Sequence, residues 1–351
     1  MKKIITSICI ALVSSFAIAQ NNIPAYYNGI DFTLNGTALK TVLATRITNT
    51  HDNVLSYGEV WNALKVTDLN PSNSNQVMLL YGHPGVTTGT YSRVRAKNSN
   101  GGGSSDWNRE HTYAKSLGTP NLGESGPGAD AHHLRPTDVQ WNSTRGNRKF
   151  ASGNGNSGPV GANWYPGDEW KGDVARMMMY MYVRYGTRCL PANVGVGSTA
   201  NTPDGMIDLF LQWNAEDPVS DFERQRNTYM DSNATYAQGN RNPFIDNAFL
   251  ATKIWGGPLA EDSWSLLSTH QLDPLEFGVY PNPTNDHKIY VSTQELVDTI
   301  TIYSVDGKVI MRIENPEFNH SDYEIDNLSS GFYIIQLKSE TKQSTKKFIV
   351  K

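Results

Sequence analysis

The sequence predicts an α+β chain: a mixed α/β unit over residues 20–258, a linker over 259–276 and a small all-β sandwich over 277–351. Three observations predict it. Apolar residues recur at helical spacing through the first unit, they alternate with polar ones at the strand period through the last, and Gly- and Pro-rich loops punctuate the chain. With 351 residues, 38% hydrophobic and 18% charged, it is long enough for two cores and too apolar to be mainly disordered.

Met1-Lys2-Lys3, an apolar stretch to Ile18 and Ala17-Ile18-Ala19 read as a secretory signal over 1–19. That stretch is too short for a membrane span, so the mature protein starts near Gln20 and works outside the cytoplasm. Cys9 leaves with the signal and Cys189 remains alone, so no internal disulfide is expected. Spacing predicts helices over 39–47 and 57–64 and a buried strand over 77–81. Loops rich in Gly, Ser, Asn and Pro follow at 97–105 and 117–128. The strongest helix covers 168–186, with Asp168 as cap, Val174, Met178, Met181 and Tyr185 as a core-facing stripe and Gly186 as stop. Shorter helices are expected over 209–213 and 217–230, then a turn-rich segment over 239–246. After about Asp273 the pattern becomes short strands at 288–292, 299–303, 308–313, 332–337 and 346–350, with Asp306-Gly307 as a hairpin turn. That grammar reads as an immunoglobulin-like sandwich, and it carries no group of chemical residues.

The polar chemistry is concentrated between the loops. Trp107-Asn108-Arg109-Glu110-His111-Thr112 reads as one strand, and Asp130-Ala131-His132-His133-Leu134-Arg135-Pro136 leads into a second. Thr137 to Gln140 forms a T-x-x-Q capping box, which starts a helix at Asp138 that Gly146 ends. Asp138, Asn142 and Arg145 then share one helix face. The net charge is −4, or −6 without Lys2 and Lys3, which excludes binding of nucleic acid by bulk charge. Between Arg93 and Lys149, however, nine Lys/Arg face five acids, a basic island suited to a phosphate backbone. His132 and His133 invite a zinc reading, but strand neighbours diverge and no third His or Cys follows at ligand spacing. His51, His83, His270, His287 and His320 read as structural or surface residues.

Asn-Arg-Glu-His-Thr-Tyr, Asp-Ala-His-His-Leu-Arg-Pro and Asn-Ser-Thr-Arg-Gly-Asn resemble the bacterial endonuclease I family, whose active site is the ββα-metal (His-Me) finger. The segments 168–176 and 239–246 also resemble it, so the likeness runs over about 22–258. The tail, with Tyr280-Pro281-Asn282-Pro283 and Lys347-Phe348-Ile349-Val350-Lys351, resembles the sorting domain of type IX secretion, an export address read by the secretion machinery. The resemblance implies a secreted, metal-dependent, sequence-nonspecific nuclease that cleaves DNA, RNA or both to 5′-phosphate products, and a monomer. It implies His111 as general base, Glu110 and Asn142 as ligands of Mg²⁺ (with Mn²⁺ or Ca²⁺ as substitutes) and Arg145 at a phosphate oxygen. Arg109, Arg135, Arg148 and Arg241 are the substrate-binding candidates, the last three balanced between phosphate binding and tying loops. Activity is expected to fall below about 6.5, the ordinary imidazole value, unless nearby groups shift it. Adjacent residues on a regular strand face opposite ways, so either the strand breaks at Glu110-His111 or one of the two has another role; the break is expected, because the resemblance places both at the site. A non-catalytic binding protein on the same scaffold, or a zinc phosphoesterase around His132 and His133, are the competing readings.

Overall fold

The computed structural model describes residues 23–267, 274–318, 322–339 and 342–351. The signal over 1–19, His270 and His320 lie outside the described residues. The chain divides between Leu266 and Leu267 into two compact units. No helix among the described residues is long and apolar enough to cross a membrane.

The helices of the first unit are α1 (Gly36–Asn49), α2 (Val60–Thr67), α3 (Val139–Arg145), α4 (Lys171–Tyr185), α5 (Pro191–Val194), α6 (Asp208–Glu216), α7 (Asp221–Met230), α8 (Pro243–Asp246) and α9 (Phe249–Trp255). Its strands are β1 (Leu69–Asn70), β2 (Asn73–Met78), β3 (Val94–Ala96), β4 (Trp107–His111), β5 (Leu134–Asp138), β6 (Gly158–Val160) and β7 (Asn163–Tyr165). All sheets are antiparallel and small: β1-β2-β3, β4-β5 and β6-β7.

α4 is the axis of the core. Every residue from Gly172 to Val183 is buried, so the helix is covered all round rather than along the one stripe expected from spacing. α1 lays Leu39, Leu43 and Ile47 into the same core. Asp168 does not cap α4: its carboxylate accepts from the Gly155 N–H and the Tyr165 hydroxyl, and the helix starts at Lys171. α7 likewise starts later than expected, because Ser220 and Glu223 form the capping box.

The unit that matters for chemistry is β4, β5 and α3. β4 and β5 pair without a register shift from Trp107 opposite Asp138 to His111 opposite Leu134. α3 follows at once, capped by Asp138, whose Oδ1 accepts from the N–H groups of Gln140 (2.8 Å) and Trp141 (2.9 Å). The cap is thus Asp138 and not Thr137, which is still in β5; Gly146, at φ +58°, ends the helix as expected.

Buried ions clamp β5 to its surroundings. Arg135 lies between Asp68 (2.7 Å) and Asp173 (3.0 Å), Arg176 holds Glu223 with two bonds (2.6 and 2.8 Å), and Arg226 also meets Asp68. Such ions are tolerable only when paired and hydrogen-bonded, as these are. They join the C-terminal end of α2, β5, α4 and α7.

The second unit holds β8 (Gly278–Tyr280), β9 (Ile289–Ser292), β10 (Thr299–Ser304), β11 (Val309–Glu314), β12 (Asp322–Ile325), β13 (Gly331–Lys338) and β14 (Gln343–Val350). They form a four-stranded sheet, β11-β10-β13-β14, and a three-stranded sheet, β12-β9-β8. Ile289, Val291, Ile300, Ile302, Ile335, Leu337, Phe348 and Val350 make its core. β8 and β12, of three and four residues, were too short to stand out in the sequence. The Asp306-Gly307 turn joins β10 to β11, with Gly307 at φ +84°.

Candidate active site

β4 sorts its side chains by alternation. Asn108 and Glu110 face α3, where Asn142 Nδ2 donates to Asn108 Oδ1 (2.7 Å) and Arg145 Nη1 meets Glu110 Oε1 (3.0 Å). α3 therefore lies against β4 with Asn142 over Asn108 and Arg145 over Glu110. The other face carries Trp107, Arg109 and His111 toward the start of α2. There Trp107 meets the Trp61 ring, the Arg109 guanidinium lies 3.5 Å from the Tyr57 ring centre and 4.2 Å from that of Trp61, and His111 stacks on Tyr57. No break separates Glu110 from His111; the pairing runs through both, and they point to opposite faces at the end of the strand. That corrects the expected interruption.

His111 is 8% exposed, and its Nε2 lies 2.9 Å from the Gly128 carbonyl. A carbonyl can only accept, so Nε2 carries the proton and Nδ1 is left as the basic nitrogen. Nδ1 has no hydrogen-bond partner among the described residues. Burial, and then the neighbouring His133, lower the imidazole from its ordinary value to about 3. It is therefore neutral across the whole ordinary pH range. Gly128 is itself constrained, because a Cβ there would collide with the Gly123 carbonyl. Gly128→Ala is expected to push this loop away from His111 and to destabilise the fold by about 1–3 kcal/mol. A denaturant melt checks this; an unchanged midpoint would mean the loop yields freely.

Glu110 is 3% exposed. Burial pushes its carboxyl up, and the Arg145 guanidinium and the Tyr81 hydroxyl pull it part of the way back. Both partners take Oε1, Tyr81 at 3.0 Å, while Oε2 accepts no hydrogen bond from the described residues. Tyr81 holds its place with a left-handed backbone, φ +68°. Asn142, with Nδ2 engaged by Asn108, likewise has its Oδ1 unengaged. One carboxylate and one amide oxygen suit a hard cation that keeps most of its waters, as Mg²⁺ does. Among the described residues no three His, Cys, Asp or Glu side chains group to hold a metal. His132 bonds Asn240 and His133 bonds the Pro127 carbonyl (2.7 Å), so the two imidazoles support different loops.

The arginines divide. Arg145 is 1% exposed, and besides Glu110 it donates to the carbonyls of His111 (3.1 Å) and Thr112 (2.9 Å). It thus holds the end of β4, and its two terminal nitrogens are engaged there. Arg135 is buried in the ion network, and Arg241 grips Asp246 with two nitrogens (2.8 and 2.6 Å) and Asp231 with a third. For both, the loop-tying alternative describes the geometry. Arg109 and half-buried Arg148, which donates to the Thr144 and Arg145 carbonyls, have no carboxylate partner among the described residues. Lys97 and Lys149 also have no carboxylate partner among the described residues; besides Arg135 and Arg145, the island's other cations, Arg93, Arg95 and Lys115, pair with Glu169, Asp138 and Glu124. Asp138 is occupied as a helix cap and a partner of Arg95.

Sequence reasoning missed Tyr57, Trp61, Tyr81 and Gly128. Only Tyr57 had a local signal: Ser56-Tyr57-Gly58-Glu59 is itself an S-x-x-E box, with Ser56 N–H and Oγ bonded to Glu59 Oε2. His83 stacks on Tyr91 with ring centres 4.7 Å apart.

Comparison with known proteins identifies the family. Residues 35–249 match Endonuclease I, and residues 278–351 match the secretion system C-terminal sorting domain. The chain is 46% identical over 241 residues to the extracellular ribonuclease of Bacillus subtilis (strain 168), covering 66% of this chain and 78% of that protein. It is also 46% identical over 232 residues to the extracellular ribonuclease of Bacillus amyloliquefaciens, covering 63% and 75%. Among solved structures, the CBM51-2 and INT domains of Clostridium perfringens ZmpB align with 20% of this chain and 17% of their own at 15% identity and a TM-score of 0.16, too slight a likeness to bear on fold or function. The β4–β5–α3 unit lies inside the first match, and the chain belongs to the endonuclease I family: a secreted nuclease, hydrolysing ester bonds of nucleic acid, followed by an export-sorting domain.

Proposed function

We propose that this nuclease is a metal-dependent, sequence-nonspecific endonuclease, that β4, β5 and α3 are its ββα-metal finger, and that it leaves 5′-phosphate ends. The observation that carries the reading is the state of two neighbours on β4: His111, held as the tautomer with Nδ1 basic and unengaged, and Glu110, held through Oε1 with Oε2 unengaged. They leave opposite faces of the last two residues of the strand, so one phosphate would reach both around the strand's end. His111 Nδ1 takes the proton of the attacking water as its oxygen bonds to phosphorus and the 3′-oxygen leaves. Mg²⁺, or Mn²⁺ or Ca²⁺, held by Glu110 and Asn142, would supply charge neutralisation for the phosphate and the departing oxygen. Arg145 and Tyr81 orient Glu110, and Arg109 and Arg148 hold the backbone on either side. Contacts of this kind read phosphate rather than bases, which supports DNA and RNA alike as substrates. The two relatives named as ribonucleases favour RNA among them.

The test is purified protein on supercoiled plasmid, single-stranded DNA and RNA, with and without chelator, with end-mapping of the products. Cleavage stopped by chelator and restored by Mg²⁺, leaving 5′-phosphates, is the expected result. Chelator-resistant cleavage, or binding without cleavage, would contradict it.

The tail has its own core, separate from the unit that holds β4, β5 and α3. Deleting 275–351 is expected to leave specific activity in vitro unchanged and to abolish export from the native host. A large fall in specific activity with normal folding would show that the tail shapes the active site.

A further inference from the structure

Tyr57 touches both functional side chains on its face of β4. Its ring stacks on His111, centres 5.3 Å apart at 26°, and the Arg109 guanidinium lies over the ring at 3.5 Å. Its carbonyl also accepts a hydrogen bond from Arg109 Nη1. We propose that Tyr57 is a positioning residue for the reaction, setting the orientation of the base His111 and of the phosphate-facing Arg109 together. The proposal rests on the reading of His111 as the base.

The physical need is clear for both groups. The bond from His111 Nε2 to Gly128 fixes one point of the imidazole and leaves its plane free to swing about that bond. A ring stacked alongside removes that freedom, so Nδ1 keeps one direction. Arg109 is flattened between Tyr57 and Trp61, so fewer of its rotamers must be lost when it meets a phosphate. Tyr57 can do this because its backbone is locked. Ser56 N–H and Oγ bond Glu59 Oε2 at 2.8 and 2.7 Å, Glu59 N–H returns to Ser56 Oγ at 3.2 Å, and α2 anchors the turn through buried Val60, Ala63 and Leu64. The Tyr57 hydroxyl has no hydrogen bond among the described residues, so the ring and not the hydroxyl is the working part.

The test is a double-mutant cycle on a short single-stranded oligonucleotide. Tyr57→Phe and Tyr57→Leu are each made alone and with His111→Ala, with kcat from cleavage and Kd from anisotropy in chelator. Tyr57→Phe is expected to stay within about twofold of the parent in both quantities, since it keeps the face. Tyr57→Leu is expected to lower kcat about tenfold or more and to raise Kd severalfold through Arg109. In the His111→Ala background the same change should leave the residual kcat within about twofold and still raise Kd, because only the base has been removed. Equal fold-losses of kcat in the two backgrounds, or an unchanged kcat for Tyr57→Leu, would overturn the proposal. Full activity of His111→Ala would instead remove the base assignment and the proposal with it. Should circular dichroism show Tyr57→Leu unfolded, Tyr57→Met, which lacks a π face, enters the same cycle with the same expectations.

Discussion

His111→Ala is expected to lose about 10²–10⁴ in turnover, the usual cost of removing a general base, while its affinity for oligonucleotide stays within a few-fold. Affinity is spared if, as proposed, the phosphate contacts come from Arg109 and Arg148, whose own hydrogen bonds do not involve the imidazole. The pH profile carries the second half of the expectation. His111 lies below its ordinary value, at about 3, so the ring stays neutral and able to accept a proton as pH falls from 8 to 5. The wild-type rate should therefore show no acid limb at 6.5, contrary to what the histidine alone suggests. Such a limb, absent from the variant's residual rate, would mean that Tyr57 and the Gly128 loop do not shield the ring in solution. A His111→Ala rate equal to wild type would remove the assignment altogether.

Glu110→Gln is expected to weaken Mg²⁺ or Mn²⁺ binding by at least about tenfold and to cut the rate at low metal, with excess Mg²⁺ restoring part of it. The amide keeps a neutral oxygen but removes the only formal negative charge of the Glu110–Asn142 pair. It also leaves Arg145 buried without its carboxylate, an arrangement that typically costs about 3–5 kcal/mol when nothing replaces the charge. The loss of rate must therefore be read beside a melt, and rescue by metal separates the two effects. Asn142→Asp should act in the opposite sense on the metal, tightening it, and yet slow the reaction, because a more fully neutralised cation stabilises the leaving oxygen less. A Glu110→Gln enzyme with unchanged metal affinity would exclude this carboxylate as a ligand.

The local grammar of this site was legible in the sequence, and its orientation only in part. Alternation along β4 separated Glu110 from His111 in advance, and the structure keeps them apart; the break expected from the family likeness is absent. Asp138 and Gly146 bound α3 within one residue of expectation, because caps and left-handed glycines act locally. Arg145 shared a face with Asn142 as predicted, but its depth could not be read from spacing. A helix face says which residues travel together and not how far below the surface they lie. Arg135 and Arg241 show the same gap. Arg135's partner Asp68, 67 residues away in sequence, became visible only when the chain had folded, whereas Arg241's partner Asp246 is five residues on, in an irregular turn whose geometry spacing does not give. In α4 the stripe was right and too narrow, since neighbours close over every side of the helix. Tyr57 lay beyond any pattern that begins at Glu110-His111.

Calorimetric titration of Mg²⁺ or Mn²⁺ into Glu110→Gln, Asn142→Asp, His132→Ala and His133→Ala, beside wild type, tests the central claim most directly. If the cation sits on the Glu110 and Asn142 oxygens, Glu110→Gln binds it more weakly, Asn142→Asp binds it more tightly, and the two histidine variants bind it as wild type does. Loss of the cation in the histidine variants with retention in Glu110→Gln would contradict the account and move the metal to His132 and His133.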